Sequence, residues 1–532
     1  MYKIFFLSLI STIFFKLNAQ SQDIKQSTRK LEEIFTYINH LYVDNVDNKS
    51  LTDAAIIATL EKLDPHSTYI SKDEVDDANQ TINGNFVGVG IRFQLLKDTL
   101  MVVATVPGGP SEKIGIRAGD KILKVDGINI ANVKLKNSQV REKLMGELGS
   151  KVKVEVLRKN EGTPLTFTIT RDKIPLNSVD CYYMITPTTG YIKLNSFSHT
   201  STDEIKAGLK ALNQQGMKNL ILDLQDNGGG VMMAAKNICD EFLTNDKLVV
   251  YSEGKHQPRQ DLICDTKGLF EKGKLIVLVN ENSASASEIV SGAIQDWDRG
   301  LIIGRRTFGK GLVQRPINLS DGSEIRLTIA RYFTPSGRNI QKPYENNIVE
   351  YHKDFIKRLA HGELTSQDSI KFPDSLKFQT KISKRTVYGG GGIMPDIFVP
   401  LDTNEFTPYF RKVLNAGIFN SFSLIYVDNN RNLLKSKFSD FNNFNKTFTC
   451  DELFMNDFFK YIEKEQNEIK YNESEYKKNE LLFKTFLKSL IAQNNWGTTE
   501  FYKIYNQRNA ILKVALETID NPKKFDKFGI EK

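Results

Sequence analysis

The sequence predicts a multidomain α+β chain: an N-terminal helical segment, a small β-rich domain, a layered α/β core and a helical C-terminal appendage. Three observations carry this prediction. A chain of 532 residues exceeds what a single hydrophobic core organises. Apolar residues recur at helix spacing near the N-terminus and then alternate with period two between residues 86 and 172. Beyond that, short apolar runs alternate with helix-compatible stretches, until Pro400 is followed by an Asn-, Lys- and Phe-rich region.

Taken in order, residues 1–19 read as an export signal. Lys3 supplies the positive start, Ile4 to Phe15 an apolar stretch too short to span a bilayer, and Leu17-Asn18-Ala19 a small-residue cleavage site. Lys16 directly after the run also fits an uncleaved anchor, but cleavage is the favoured reading, with a periplasmic or extracellular destination. Residues 20–85 are expected to be helical, because Leu31, Ile34, Phe35, Ile38 and Leu41 share one face. Ser50 with Asp53 resembles a capping box opening the next helix, which Asp64-Pro65-His66 then stops.

Residues 86–172 form the β-rich domain: Val152, Val154 and Val156 alternate, as do Leu165, Phe167 and Ile169 across an Asn160-Glu161-Gly162 turn. Residues 173–400 form the layered core, with buried-looking strands at Leu220 to Leu224, Leu275 to Val279 and Leu301 to Ile303. Residues 401–532 are expected to be helical, with Phe483, Phe486, Leu487, Leu490 and Ile491 as an apolar stripe.

Charge excludes one class of partner. Lys+Arg 72 against Asp+Glu 64 gives a net charge of +8 without a concentrated basic arm, which is a solvated surface and no nucleic-acid footprint. Four cysteines (Cys181, Cys239, Cys264, Cys450) are too few for a disulfide scaffold in a chain of this length and read as buried thiols. No metal or cofactor motif is found.

Chemistry is expected in three stretches. The run Leu275 to Val279 leads through Asn280-Glu281-Asn282-Ser283-Ala284-Ser285 into apolar Ile289, Val290 and Ala293, which reads strand, tight turn, helix. A serine at a helix N-terminus sits where free N–H groups favour developing negative charge, although the same serines could simply cap the helix. Leu220 to Leu224 runs into Asn227-Gly228-Gly229-Gly230, whose N–H groups can form an anion nest or an ordinary turn. Thr307-Phe308-Gly309-Lys310-Gly311 holds a lysine between glycines, where a surface lysine is the default reading.

Together with Leu63-Asp64-Pro65-His66-Ser67, Gly88-Val89-Gly90, Gly115 to Asp120, Thr334-Pro335-Ser336-Gly337-Arg338 and Gly392 to Asp396, these motifs resemble the C-terminal processing peptidases, or tail-specific proteases. The resemblance runs from Leu31 to about Pro400. It implies a serine endopeptidase with Ser285 as nucleophile and Lys310, 25 residues later, as its base. It further implies that Gln314 orients the lysine and that the backbone N–H groups of Ala286 and Gly229 form the oxyanion hole. Gln225 departs from the family, which usually has arginine there, and puts in doubt any ion pair made at that place. The β-rich domain resembles a PDZ module whose carboxylate-binding loop is Val87, Gly88, Val89, Gly90 and Ile91. Its expected ligands are protein or peptide substrates with apolar C-termini, and an adaptor protein is compatible with this reading.

A Ser/Lys pair makes a definite physical demand. Lysine accepts the serine proton only when neutral, and bringing an amine from about 10.4 to half-neutrality at pH 7 costs ~4 kcal/mol, which burial can supply. None of the six histidines lies in a nucleophile, glycine-loop or base element, so a Ser-His-Asp triad is disfavoured. Penicillin-binding enzymes place a lysine three residues after the serine, where this chain has Glu288. The remaining alternative is a catalytically inactive scaffold that binds peptides through the PDZ-like domain alone.

Overall fold

The computed structural model describes residues 23–159, 161–344, 348–403, 407–466 and 468–530; the predicted export signal lies outside them. Contacts divide the chain into two compact units, one formed by the chain up to Lys72 with Pro316–Leu327, the other by Asp73–Arg315 with Thr328 onward.

In the smaller unit, residues 23–41 are helical and a second helix spans Asn48–Glu61. One expectation fails here. The second helix is capped by Asp47, whose carboxylate accepts from the N–H groups of Lys49 and Ser50, so it opens ahead of the predicted Ser50/Asp53 box. Asp53 instead accepts from the Tyr69 hydroxyl at 2.8 Å. The stripe on the first helix is not buried: Leu31, Ile34 and Leu41 remain 53%, 44% and 76% exposed. Asp64 makes the predicted stop, its Oδ1 accepting from His66 N and Ser67 N. The strand Thr68–Ile70 then pairs antiparallel with Glu324, Ile325 and Arg326.

The larger unit begins with the helix Lys72–Asn83 and the β-rich domain. Its main sheet runs Ile91–Leu96, Thr99–Thr105, Lys121–Val125, Lys151–Leu157 and Leu165–Thr170 in that spatial order, so Ile91–Leu96 is an edge. Val152, Val154 and Val156 are fully buried while their neighbours face outward, as period-two alternation requires. The helix Asn137–Leu144 packs Val140 and Leu144 on this core.

A six-stranded sheet organises the next region, in the order Val179–Met184, Thr189–Leu194, Asn219–Asp223, Lys274–Val279, Leu301–Gly304, Ile397–Phe398. The first pair is antiparallel and the rest are parallel. Parallel strands need both faces covered, and here both are. Leu220, Leu222, Leu275 and Val277 face the helices Ser201–Gln214, Met232–Asp240 and Ala286–Asp296. Ile221, Ile276, Leu278 and Ile303 face the opposite way, onto Ile511, Leu512, Ala515, Ile519 and Phe525 from the end of the chain.

The C-terminal region is helical, and it contributes in two ways. Helices from Pro408–Asn415 to Thr498–Tyr505 bury their own aromatic core, with Phe483, Leu487, Leu490 and Ile491 of the predicted stripe inside it. The helices Ala510–Ile519 and Pro522–Asp526 then close the second face of the six-stranded sheet. No helix among the described residues is long and apolar enough to cross a membrane.

Leu512→Ala removes a fully packed side chain from that second face and is expected to lower unfolding stability by ~2–5 kcal/mol. The same change at Leu453, 77% exposed, should stay within ~0.5 kcal/mol; urea titration of both variants makes the comparison.

Candidate active site

Three neighbouring parallel strands deliver the three predicted stretches to one end of the sheet. The glycine loop follows Asn219–Asp223, the serine turn follows Lys274–Val279, and the lysine loop follows Leu301–Gly304. The carboxyl ends of parallel strands are where loops converge on a site in α/β sheets.

Ser285 immediately precedes the helix Ala286–Asp296 and has φ 56° and ψ −113°, a conformation that costs a non-glycine residue roughly 1–3 kcal/mol. The three serines of the turn differ in what they do. Ser283 Oγ donates to Leu224 O at 2.7 Å and Ser287 Oγ donates to Asn227 O at 2.8 Å, and both side chains are buried. They stitch the turn to the glycine loop. Ser285 alone of the three is partly exposed.

Glu288, fully buried in the first turn of that helix, connects the serine to the lysine. Its Oε2 accepts from Ser285 N at 2.8 Å and Lys310 N at 2.9 Å, and its Oε1 from Gly309 N at 2.7 Å and Thr307 Oγ1 at 2.5 Å. Four donors thus fill the carboxylate. Burial nevertheless pushes its pKa up to about 7, against the downward pull of these hydrogen bonds. Tyr332 adds a second link: its hydroxyl donates to Lys310 O and lies 3.1 Å from Ser285 O.

Gly229 packs directly on the serine. A Cβ there would lie 2.7 Å from Ser285 Cβ and 2.9 Å from Ala286 N, and φ of +97° also favours glycine. Of the two expected oxyanion donors, the Ala286 N–H thus borders the loop, whereas the Gly229 N–H donates to Asn227 Oδ1 at 2.9 Å in this conformation. Gln225 makes hydrogen bonds to Asp223 through its N–H and its amide, and the ion pair beside it is between Asp223 and Lys193. Asp223 is buried against Lys193 Nζ at 3.3 Å, with the cation supplied by the adjacent strand Thr189–Leu194, and also accepts from Tyr191 Oη and Gln225 N.

Lys310 Nζ donates to Gln314 Oε1 at 2.8 Å. A second lysine, Lys342, is buried beside the same loop, its N–H donating to Gly309 O. Its Nζ lies 3.8 Å from the Phe308 ring centroid, 4.1 Å from that of Tyr351, and 3.1 Å from Asp354. Burial lowers its pKa and Asp354 opposes that shift. All four cysteines are free and buried, and no cluster of His, Cys, Asp or Glu suited to a metal ion occurs among the described residues.

The predicted carboxylate loop borders a cavity of about 620 Å³, lined by Gly88, Val89, Gly90 and Ile91 together with Phe93 and Leu144. Val87 is not in its lining; it pairs with Lys173 in the short ladder of Asn85–Gly88 with Asp172–Pro175. Glu288, Tyr332, Lys193 and Lys342 lie near these loops without a role read from the sequence. A signal existed for Glu288 alone, three residues after the serine, where it reads as an ordinary first-turn acid.

Four family models match the chain: peptidase family S41 at residues 188–349, a PDZ domain at 101–158, the N-terminal domain of the activating protease CtpB at 12–74, and a family of unknown function at 409–497. A carboxy-terminal-processing protease of Bartonella bacilliformis is 33% identical over 386 residues, covering 70% of this chain and 88% of that protein. A Staphylococcus aureus protein titled "Probable CtpA-like serine protease" is 32% identical over 414 residues, covering 71% of this chain and 82% of its own. Among solved structures, the photosystem II D1 C-terminal processing protease is 28% identical, covering 70% of this chain and 86% of that one with a TM-score of 0.36. On the family models and the two relatives above 30% identity, the chain belongs to peptidase family S41, as a serine protease of the carboxy-terminal-processing type that carries a PDZ domain.

Proposed function

We propose that this chain is an exported endopeptidase that binds protein C-termini in the cavity at Gly88 to Ile91 and cleaves peptide bonds with Ser285 and Lys310. The observation that carries the proposal is the single carboxylate of Glu288 accepting from the backbone of both residues, which ties together two positions 25 residues apart. In this mechanism, neutral Lys310 takes the Ser285 hydroxyl proton as Oγ attacks the scissile carbonyl carbon. The developing oxyanion is held by the Ala286 N–H and by a glycine-loop N–H, Gly229 serving once its bond to Asn227 is released. The tetrahedral intermediate collapses, the Lys310 ammonium returns the proton to the leaving amine, and water then hydrolyses the acyl-enzyme with Lys310 again as base.

The partner of each lysine supports the choice between them. Gln314 offers Lys310 a neutral amide oxygen that fixes direction without adding a negative charge, whereas Asp354 favours the charged form of Lys342. Export to the periplasm or beyond rests on the apolar stretch Ile4 to Phe15 and the small-residue site that follows it.

Ser285→Ala should abolish cleavage of an unfolded protein substrate and leave the melting temperature unchanged. Ser283→Ala and Ser287→Ala should show the opposite pattern, losing ~1–3 kcal/mol of stability with measurable turnover retained. Full activity in purified Ser285→Ala would remove the serine from the mechanism. Lys310→Arg keeps the charge but cannot give up a proton near neutrality, so its turnover should be as low as that of Lys310→Ala. Rates for Lys310→Arg comparable to wild type would instead make Lys310 an electrostatic residue.

Glu288→Gln leaves one amide oxygen to face four donors, so it should reduce turnover by roughly 100-fold through misplacement of the Ser285 and Lys310 loops. It should also change the pH dependence of stability. The folded-state value of about 7 lies above the ordinary carboxyl range, so the native chain holds a proton that the unfolded chain releases. The stability this group contributes is full below about 4.3 and falls as pH rises to about 7, by ~4 kcal/mol in all. Denaturation at pH 5 and pH 8 should therefore show a larger loss on raising pH in wild type than in Glu288→Gln; equal losses would refute the assignment.

A further inference from the structure

The cavity at Gly88 to Ile91 has one open backbone edge and two cations. Among the described residues, Ile91–Leu96 is the outermost strand of its sheet, paired on one side only, with Thr99–Thr105. Its other edge can therefore accept an extended peptide as an added strand. Ile91, Phe93 and Leu95 pack on the domain core, which turns the alternate positions, Arg92 and Gln94, to the other face of the strand. Across the cavity, the helix Asn137–Leu144 contributes Asn137, Arg141 and Leu144, spaced to share one face.

The direction of this helix orders the groove. A Cβ on Gly88 would lie 3.8 Å from Met145 Cγ, so the C-terminal end of the helix abuts the glycine loop. Val89, Leu144 and Met145 therefore surround the place for an apolar terminal side chain. Arg141 stands about one helical turn, roughly 5.4 Å, further from the loop, a distance an extended peptide covers in about two residues. Arg92 follows Ile91 directly on the edge strand. Both arginines are exposed and both line the cavity. The only acid in the lining is Asp77, and its Oδ1 already accepts from Gln80 Nε2 at 2.7 Å.

Resting on the reading of this cavity as a C-terminus site, we infer that it selects tails that end in an apolar residue and carry Asp or Glu within the three residues before it, with Arg92 and Arg141 as the specificity-determining side chains. An acidic tail is attracted by both guanidinium groups, and a basic tail is repelled by them. Because both arginines are exposed, the preference is modest and sensitive to salt.

The test is fluorescence anisotropy of labelled peptides titrated with the full-length Ser285→Ala protein. Three peptides share an apolar terminal residue: one has Asp at the two preceding positions, one has Lys there, and one is the Asp peptide with an amidated C-terminus. The acidic peptide should bind about fivefold to tenfold more tightly than the basic one at low salt. The gap should shrink at high salt and reverse in Arg92→Glu/Arg141→Glu. Equal binding of the acidic and basic peptides, with the amidated one binding weakly, would overturn the selectivity while leaving the C-terminus site standing. Equal binding of the free and amidated peptides would overturn the C-terminus site itself, and the selectivity with it.

Discussion

The buried carboxylate of Glu288 is the constraint on which the candidate active site depends. It sits in the first turn of a helix, fully enclosed, with donors from the serine turn and from the lysine loop on its two oxygens. Enclosing a carboxylate is costly, and the cost is offset only while all four donors stay in place. Geometry at Ser285 and geometry at Lys310 are thus not independent. A shift of either loop strands an acceptor in the interior, so the two positions move together or not at all. The positive φ of Ser285 is tolerated for the same reason, because the surrounding bonds over-determine it.

The sheet beneath supplies the other half of that rigidity. The three loops leave adjacent parallel strands at the same end, and helices cover both faces of those strands. The Asp223 cluster ties two of those strands together at the base of the glycine loop. With glutamine at position 225, the positive partner of Asp223 comes from Lys193 on the neighbouring strand, and Gln225 keeps its own contact through N–H and amide donors. Charge balance at the base of the glycine loop is maintained by register in the sheet, where Lys193 pairs with Asp223.

Much of this was legible in the sequence because period-two alternation and short apolar runs report directly on strands buried on one or both faces. Val152 to Val156 and the runs at Leu220 and Leu275 fold as their pattern requires. The serine turn was legible as a strand-to-helix junction, yet pattern alone could not say which serine was structural. That distinction depends on Leu224 O and Asn227 O, some 60 residues earlier in the chain. Glu288 was hidden for a similar reason: a first-turn acid is common, and only tertiary contact gives it two loops to hold. The stripe from Leu31 to Leu41 has the right spacing for burial but no covering surface among the described residues. At the Asn48–Glu61 helix, the carboxylate of Asp47, three residues ahead of the expected Ser50, makes the cap.

The second face of the six-stranded sheet has a consequence for biogenesis. Ile221, Ile276, Leu278 and Ile303 belong to the strands that carry all three loops, and their cover is Ile511 to Phe525, synthesised well after them. Until those residues emerge, a nascent chain presents a bare apolar sheet face, and the strands that aim the serine and the lysine lack half their packing. A product that stops short of Ala510 carries the serine turn and the lysine loop but not the packing beneath the strands that hold them.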